Sequence, residues 1–521
     1  MEGAGATELV IQRGPAIASF VAYLAVIVGI GVWATRFSSA GVSEFFIGGR
    51  KMNRVVVALS AVVSGRSAWL VIGVVGMAYE RGASAVWAVV GYIVVELFLF
   101  LYYAPRLRRF SEVHDCITVP DFFAARFGDR KGTLRLVLVA ILMLFIVGYV
   151  AGQFVAGGKA FATGFGLEPS TGILLTAGIV LVYTVLGGFL AVSLTDVLQA
   201  FFMILALVVV PSVAIAREGG LGALVTELTA ADPALVDPLA LGFGVFLGFL
   251  GIGLGSPGNP HILARYMSIQ DAEQLRVAAV VGTTWNVLMA WGALFAGLAG
   301  RVWVGDPSAL PGGDTENVYP FLAGEILPAW LFGLVMAAIF AAIMSTTDSQ
   351  LLVAASAVVR DLYEKVLSRG RDVPQGRLVL LSRSVVLLLV VLAVLMGFYA
   401  EQVVFWLVLF SWAGLGASLG PTSILALYWR GTTRAGVLAG MITGALTVIV
   451  WKLTPALSDA LYELIPAFAA GFAATVVVSR FTRPPEGAEA MLRTMERPRA
   501  AGTLEETGRG ASAGPRPGRP V

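Results

Sequence analysis

Residues 251–260 read Gly-Ile-Gly-Leu-Gly-Ser-Pro-Gly-Asn-Pro, with four glycines and two prolines inside an otherwise apolar stretch. Pro257 and Pro260 each remove a backbone N–H that a helix needs, and Gly258 between them permits a turn. Irregular backbone survives in a bilayer only where it is buried in protein or lines a cavity. The stretch therefore predicts an interrupted transmembrane helix that leaves backbone groups free beside a cavity.

The composition agrees with a chain that lies in lipid. Of the 521 residues, 58% are hydrophobic and 13% are charged, whereas a soluble domain is about 45–50% apolar and about 25% charged. Cys116 is the one cysteine, and the two histidines are His114 and His261. An intramolecular disulfide and a multi-histidine metal centre are therefore excluded.

A helix needs about 20 apolar residues to cross the bilayer. The sequence contains thirteen such stretches, which we number as spans 1 to 13 in chain order. They are 15–35, 55–79, 83–104, 134–163, 171–187, 190–214, 240–264, 277–300, 328–359, 379–398, 402–428, 433–451 and 461–479. The sequence thus predicts an all-α integral membrane protein.

The basic residues predict the orientation of these spans. Alternate loops, together with the tail, hold 29 of the 36 Lys and Arg residues, and the other loops hold five. Since cytoplasmic loops are enriched in Lys and Arg, we expect a multi-pass plasma-membrane (inner-membrane) protein with its N-terminus outside and its C-terminus in the cytoplasm. Residues 1–483 form the predicted transmembrane domain. Residues 484–521 are rich in Pro, Gly, Arg and Glu and predict a disordered cytoplasmic tail.

Span 2 carries a second break signal. Residues 58–69 read Ala-Leu-Ser-Ala-Val-Val-Ser-Gly-Arg-Ser-Ala-Trp and place polar residues at its midpoint. Spans 2–6 (about 53–214) and 7–11 (about 240–428) form two sets of five helices, so the second set is inverted relative to the first. Matching breaks in inverted repeats indicate a transporter site at the bilayer midplane. Alternatively, the glycines only permit close helix packing.

Six motifs are spread along the chain. They are Thr118-Val-Pro-Asp-Phe-Phe-Ala-Ala-Arg-Phe127, Tyr183-Thr-Val-Leu-Gly-Gly-Phe-Leu-Ala-Val-Ser-Leu-Thr-Asp-Val-Leu-Gln199, Asn259-Pro-His-Ile-Leu-Ala-Arg265, Met344-Ser-Thr-Thr-Asp-Ser-Gln-Leu-Leu352, Ser411-Trp-Ala-Gly-Leu-Gly-Ala-Ser-Leu-Gly-Pro421 and Gly444-Ala-Leu-Thr-Val-Ile-Val-Trp-Lys452. In these motifs the chain resembles the sodium:solute symporter family, and most closely its bacterial sodium/proline symporters. The resemblance implies the five-plus-five inverted-repeat fold of the leucine transporter.

The resemblance also implies site residues. For sodium it implies carbonyls of the span 2 break, and a carbonyl and two hydroxyls of span 9. These residues are Val63, Arg66, Ala342, Ser345 and Thr346. Hard cations prefer such oxygen ligands; alternatively, the two hydroxyls only bond to carbonyls one turn earlier. Asp196 matches an aspartate that belongs to a second cation site in some members. Asp348 lies one turn from the hydroxyl pair, and a salt bridge or helix-end role is the alternative for both carboxylates.

The solute is expected between the two breaks. The implied contacts are Ser67, Ala68, Trp69, Ser256, Pro257, Gly258, Asn259 and Pro260. Ile252 and Ser256 stand where sodium/proline symporters carry aromatic residues that contact the solute. For Trp69, packing is an equal alternative to a role in the pocket wall.

Arg66 departs from the family pattern. It stands at a methionine position, and it follows Gly65 where the family has an acidic residue. Its guanidinium cannot deprotonate, and two unit charges 4 Å apart interact by about 4 kcal/mol even at an effective dielectric of about 20. Three arrangements are compatible with the sequence: Arg66 pairs with Glu96, Asp196 or Asp348, it binds a substrate carboxylate, or it replaces the cation.

The sequence predicts a secondary transporter that couples uptake of a small solute, proline or a related amino acid or carboxylate, to Na⁺. A sodium-independent or proton-coupled carrier of the same fold and a substrate sensor are the alternatives. An enzyme is not expected, because no span pairs a nucleophile with a histidine base. Nucleic-acid binding is not expected either, because the basic residues follow membrane topology. The expected partners are a small-molecule substrate and the lipid bilayer, and nothing in the sequence specifies an oligomeric state.

Overall fold

The computed structural model describes residues 2–38, 41–368, 371, 373–399 and 404–496, and in these residues every regular element is helical. All thirteen predicted spans are present. Their helices are Glu2–Ser38, Arg54–Ser64 with Val75–Arg81, Val86–Phe98 with Ala104–Val113, Thr133–Phe165, Pro169–Arg217 (spans 5 and 6), Phe243–Gly251 with Pro260–Ser268, Leu275–Trp303, Ala329–Ser356, Gln375–Tyr399, Val404–Tyr428, Arg434–Lys452 and Leu464–Arg480. The predicted all-α transmembrane architecture is confirmed.

Nine of the described helices are long and apolar enough to cross a membrane by length and composition. Spans 2, 5, 7 and 13 consist of shorter apolar helices. Spans 2 and 7 are interrupted, and span 5 ends where the helix turns at Gly188, which has non-helical angles (φ 58°, ψ −161°). Span 13 has 17 residues. Three spans contain π-helical turns, at Trp69–Val74, Leu99–Tyr103 and Ala357–Leu367.

Six shorter helices lie between or after the spans. They are Val42–Ile47, Val119–Phe127, Leu221–Ala231, Val318–Ile326, Pro455–Ser458 and Ala488–Glu496. The last of these, which we term the tail helix, falls in the segment predicted to be disordered, so that prediction is wrong over these nine residues. The helix is ordered because it packs on Ala104–Val113, where Met495 is fully buried. Residues 497–521 of the predicted tail lie outside the described residues.

Spans 2 and 7 run in opposite directions. A β-bridge joins Met52, just before span 2, to Ile269, just after span 7. Its backbone bonds run from the Met52 N–H to the Ser268 carbonyl (3.2 Å) and from the Gln270 N–H to the Met52 carbonyl (2.9 Å). The start of one broken helix and the end of the other therefore meet at one face. This is the inverted relation expected of the two repeats.

Spans 9 and 11 form the centre of the bundle. In its most apolar window span 9 is 72% buried and span 11 is 89% buried, against 28% for span 1 and 39% for span 12. Large exposed apolar side chains cover the outer spans, as a lipid-facing surface requires. Polar side chains on span 9 are thus held inside protein, where Ser345 and Thr346 face the span 2 break.

Candidate functional site

The break in span 2 is held by side chains of span 4. The helix ends at Ser64, and Ser67 takes a left-handed conformation (φ 53°) that is uncommon for a residue with a Cβ. The Ala68 N–H donates to the Gln153 side-chain oxygen (3.0 Å), and the Trp69 N–H donates to Ser67 Oγ (3.1 Å). The N–H groups released by the break thus find acceptors without water.

The break in span 7 covers the glycine- and proline-rich motif at residues 251–260. Ile252–Gly258 forms a 3₁₀ segment, Asn259 is extended, and the α-helix resumes at Pro260. The segment is anchored to span 11: Trp412 Nε1 donates to the Ile252 carbonyl (2.8 Å), and Ser423 Oγ donates to the Pro257 carbonyl (3.2 Å). Both predicted breaks are therefore present.

Two glycines of the span 7 break also serve packing. A Cβ on Gly255 would lie 1.9 Å from Trp412 Nε1, and a Cβ on Gly258 would lie 2.5 Å from the Leu415 carbonyl oxygen. Span 11 approaches too closely for any larger residue at either position. The packing role that the sequence left as an alternative thus coexists with the break.

Of the five residues expected to hold sodium, Val63, Ala342, Ser345 and Thr346 lie together. Ser345 Oγ contacts the carbonyls of Ala342 (3.2 Å) and Val63 (3.4 Å). Thr346 Oγ1 donates to the Ser64 carbonyl (2.8 Å). The two hydroxyls thus face carbonyls of the span 2 break across the interface between spans 2 and 9. The Ser64 carbonyl oxygen belongs to this group, although Ser64 was not among the sodium ligands expected from the sequence.

The side chain of Arg66 turns away from these oxygens. Its guanidinium pairs with Glu96 of span 3, and it lies 3.8 Å from the centroid of the Tyr92 ring. Glu96 also accepts a hydrogen bond from the Asn286 side-chain nitrogen (2.6 Å). Of the three acids considered as partners, Glu96 is the one paired with Arg66. The Arg66 carbonyl accepts the Leu70 N–H (3.1 Å), so the helix already uses that oxygen.

Asp196 and Asp348 belong to one buried polar cluster. Asp196 accepts hydrogen bonds from Ser60 Oγ (2.6 Å) and from Arg265 Nη2 (3.2 Å). Asp348 accepts hydrogen bonds from the Tyr183 hydroxyl (2.7 Å) and from Ser349 Oγ (2.9 Å). Arg265 also bonds to Ser349. With both carboxylates ionised, the cluster would hold two negative charges against one guanidinium.

A small cavity lies beside the span 2 break. It measures about 10 Å³, which is room for about one water molecule. Trp69 is among its lining residues, and it also stacks on Phe405 at a centroid distance of 5.8 Å. The cavity is lined by Gly65, Arg66, Trp69, Tyr92, Tyr149, Ile252, Val408, Leu409 and Trp412.

The other predicted solute contacts are buried and do not line this cavity. Ser67 and Ala68 lie at the turn of span 2, next to the lining residues. Ser256, Pro257, Gly258, Asn259 and Pro260 are buried in and after the span 7 segment. Ser256 Oγ and Asn259 Oδ1 have no hydrogen-bond partner among the described residues.

A larger cavity of about 630 Å³, which we term the outer cavity, lies next to the small one. It lies between the end of span 2, the start of span 7 and the loop between spans 12 and 13, with Arg81 and Lys452 at its rim. Ile252 and Leu409 line both cavities. These two apolar side chains therefore form the partition between the outer cavity and the break.

Several residues at the site were not predicted from the sequence. Tyr92, Tyr149, Gln153 and Trp412 are ordinary core residues in the sequence, and only the tertiary fold brings them to the breaks. Arg265 stands in a recognised motif, but its position beside Asp196 depends on the inversion of span 7.

The model of the sodium:solute symporter family matches residues 45–444. The chain is 38% identical over 468 residues to the high-affinity proline transporter PutP of Bacillus subtilis (strain 168), covering 88% of this chain and 96% of the relative. It is 36% identical over 479 residues to the sodium/proline symporter of Staphylococcus aureus (strain JH9), covering 89% and 92%.

Solved structures agree on the fold. A Na⁺-coupled sialic acid symporter in a substrate-bound outward-open state has a TM-score of 0.76 at 20% identity, covering 90% of this chain and 98% of that one. MHP1, a nucleobase-cation-symport-1 family transporter, has a TM-score of 0.54 at 16% identity, covering 86% and 98%. The chain belongs to the sodium:solute symporter family, and it is a multi-pass membrane transporter rather than an enzyme.

Proposed function

We propose that this protein couples the uptake of proline, or of a closely related small amino acid or carboxylate, to the entry of Na⁺. The observation that carries the proposal is the meeting of the Ser345 and Thr346 hydroxyls with the carbonyls of Val63 and Ser64. These oxygens come from two spans and carry no net charge, which suits a monovalent hard cation that must later leave.

Sodium would act as a link between spans 2 and 9. Each hydroxyl now donates a hydrogen bond to a carbonyl. With an ion present, the hydroxyl and carbonyl oxygens would turn toward the ion together. Because this linkage holds the span 2 break in one conformation, sodium would preorganise the nearby solute site. Rocking of the bundle would then open the site to the other side.

The solute is proposed from the relatives' names and from the cavity wall. The relatives in Bacillus subtilis and Staphylococcus aureus are named proline transporters or symporters. Trp69, Tyr92, Tyr149 and Trp412 offer aromatic faces to a small ring, and Arg66 brings a positive charge for a carboxylate. Since the cavity has room for about one water molecule, binding requires the wall to move outward. Ile252 and Leu409 are the side chains whose movement would join it to the outer cavity.

The pairing of Arg66 with Glu96 favours retained sodium coupling. A guanidinium that replaced the cation would have to face Ser345 and Thr346, whereas it is paired with Glu96 and lies over Tyr92. Sodium-independent transport by a fixed Arg66 charge is accordingly the less favoured alternative.

A second coupling ion is proposed at Asp196 and Asp348. The two carboxylates share one guanidinium in their cluster, since Arg265 pairs with Asp196 and bonds to Ser349, which in turn donates to Asp348. The remaining negative charge is costly in a buried site, so one monovalent cation or one proton would neutralise it. This cluster is the observation that keeps proton coupling as a second candidate.

The outer cavity is proposed as the extracellular entrance. Arg81 and Lys452 at its rim belong to the loops with few basic residues, which the positive-inside rule assigns to the outside. On this proposal the N-terminus is outside and the C-terminus is in the cytoplasm.

Proline uptake into liposomes that contain the purified protein tests the proposal. An inward sodium gradient should drive accumulation, and replacement of sodium by choline at constant pH should abolish it. A proton gradient without sodium forms the third arm. Full uptake in choline would overturn sodium coupling. A panel of amino acids and carboxylates under the sodium gradient then identifies the preferred solute.

A further inference from the structure

A third cavity, separate from the transport site, lies at the membrane boundary next to the tail helix. Its volume is about 320 Å³, and residues of span 3, span 8, span 11 and the tail helix line it. Three of its lining residues are arginines, namely Arg106, Arg109 and Arg276. Nothing in the proposed transport cycle uses this site.

The cavity lies where the lipid-facing surface ends. On span 8 the exposed apolar side chains of Val277 and Val280 lie directly beyond Arg276. On span 3, Leu101 and Tyr102 are exposed just before Arg106, and Tyr102 also lines the cavity. Tyrosine favours the headgroup level of a bilayer. The cavity therefore opens at headgroup depth, beside a surface suited to acyl chains.

The Arg106 guanidinium is already oriented. Nη1 donates to the Leu427 carbonyl (2.9 Å), and the guanidinium carbon lies 4.2 Å from the centroid of the Tyr428 ring. A guanidinium fixed in this way loses little further side-chain entropy when it binds a phosphate. Arg276, in contrast, has no side-chain hydrogen bond or ion pair among the residues that the structure describes.

The glutamate carboxylates that pair with the arginines of this cavity are weakly held. Arg106 pairs with Glu496 (3.1 Å), and Arg109 pairs with Glu273 (2.5 Å). The side chains of Glu496 and Glu273 are 54% and 51% exposed, and such exposed pairs contribute little free energy. Three guanidinium groups against two carboxylates leave one positive charge. A stronger anion can therefore enter beside Arg276 and compete with Glu496.

We propose that this cavity binds the phosphate headgroup of an anionic phospholipid. Basic pockets between transmembrane helices bind such headgroups, and the adjacent apolar face accounts for the acyl chains. A soluble phosphate would use the same guanidinium groups but would gain nothing from Leu101, Val277 and Val280. Occupancy would displace Glu496 from Arg106 and would thus connect lipid composition to the position of the tail helix.

Native mass spectrometry of the full-length, delipidated protein tests this proposal. Phosphatidylglycerol and phosphatidylcholine are titrated separately, with and without inorganic phosphate. We expect retained phosphatidylglycerol, and about tenfold weaker retention in Arg276→Gln, because a charge-assisted hydrogen bond is lost. Arg377→Gln is the matched control, since Arg377 is an exposed arginine at the start of span 10 and should leave retention unchanged.

Arg106→Gln should weaken retention as well, but its carbonyl bond and its contact with Tyr428 also stabilise the fold. Arg276→Gln removes no hydrogen bond or ion pair among the described residues, so weaker retention in that variant reports binding rather than unfolding. Equal retention of the two lipids would overturn the proposal. So would equal effects of the Arg276 and Arg377 variants, or displacement of the lipid by inorganic phosphate, which would indicate a site for a small soluble anion.

Discussion

Arg66 is fully buried beside the span 2 break, and its charge is balanced by Glu96 from span 3. Asn286 of span 8 donates to the other oxygen of Glu96 (2.6 Å). Spans 2, 3 and 8 are thereby joined through one carboxylate. The pair keeps the guanidinium away from the sodium ligands while leaving Arg66 on the cavity wall.

Removal of one partner of this pair should destabilise the protein. We expect Glu96→Gln to lower the stability by about 3–5 kcal/mol, because it leaves a buried guanidinium without a counter-charge. The double variant Arg66→Met with Glu96→Gln should recover most of the loss. Thermal unfolding of the detergent-solubilised protein measures both effects. A single variant that unfolds like the wild type would contradict the account.

The same double variant separates the effect of Arg66 on stability from its effect on the sodium dependence of uptake. If Arg66 is a charge-balanced wall residue, sodium should still drive uptake when the arginine is absent. A change in the solute's KM with an unchanged sodium response would assign Arg66 to the solute. A lost sodium response in the stable double variant would assign it to the cation.

Thr346 and Thr347 offer a matched test of the cation ligands. Thr346 Oγ1 reaches across to the Ser64 carbonyl, whereas Thr347 Oγ1 bonds to the Ile343 carbonyl of its own helix (2.6 Å). Thr346→Ala should weaken the apparent sodium affinity of uptake by about tenfold or more. Thr347→Ala should leave it near the wild-type value. Equal effects would show that the hydroxyls serve only the helix.

At the scale of elements, the span 7 break depends on close contact with span 11. Gly255→Ala would place a Cβ 1.9 Å from Trp412 Nε1, and this nitrogen holds the Ile252 carbonyl. We expect a loss of stability of about 1–3 kcal/mol and strongly reduced uptake, because Trp412 and Ile252 both line the cavity. Unfolding midpoints and initial uptake rates provide the measurement.

Gly242→Ala is the control for this variant. Gly242 directly precedes the first helix of span 7 (Phe243–Gly251), and a Cβ there would meet nothing within 4 Å. It should therefore leave uptake and stability nearly unchanged. If Gly255→Ala were equally harmless, the proposed contact between the break and span 11 would be wrong.

The two breaks were predictable because their signals are local. Pro257 and Pro260 interrupt a helix through covalent geometry alone, and the polar run at Ser64–Ser67 is visible in an apolar background. The partners of these breaks were not predictable from a local pattern. Gln153 reaches Ala68, and Trp412 reaches Ile252, across 85 and 160 positions in the sequence. Contacts at such separations depend on the packing of whole spans.

For the tail helix, the prediction from the sequence was wrong. Its segment has little apolar content, so composition predicts disorder. Met495 nevertheless becomes fully buried on the helix Ala104–Val113, and Arg109 donates to the carbonyls of Met495 (3.2 Å) and Glu496 (3.4 Å) at the end of the tail helix. The stability of this element comes from its docking partner rather than from its own sequence.

The alternation of basic and non-basic loops along the whole chain predicts which loops face the cytoplasm. Gln270 and Ser308 are exposed before and after span 8 (Leu275–Trp303). In a Cys116→Ser background, Ser308→Cys should react with a membrane-impermeant maleimide on intact cells. Gln270→Cys should react only after permeabilisation. The reverse pattern would invert the proposed topology.

The native thiol should interfere little with this labelling. Cys116 is buried, and burial raises the pKa of its thiol well above the usual value, so little reactive thiolate is present near neutral pH. Wild-type protein without an introduced cysteine serves as the labelling control and should remain unlabelled.

Equilibrium binding of radioactive sodium to the purified protein, with and without proline, tests the central claim most directly. If sodium links span 9 to the break that receives the solute, proline should raise the sodium affinity, and by linkage sodium should raise the proline affinity by the same factor. Combined Ser345→Ala and Thr346→Ala substitutions should abolish both effects. Sodium binding that ignores proline, and that survives the loss of both hydroxyls, would contradict the account.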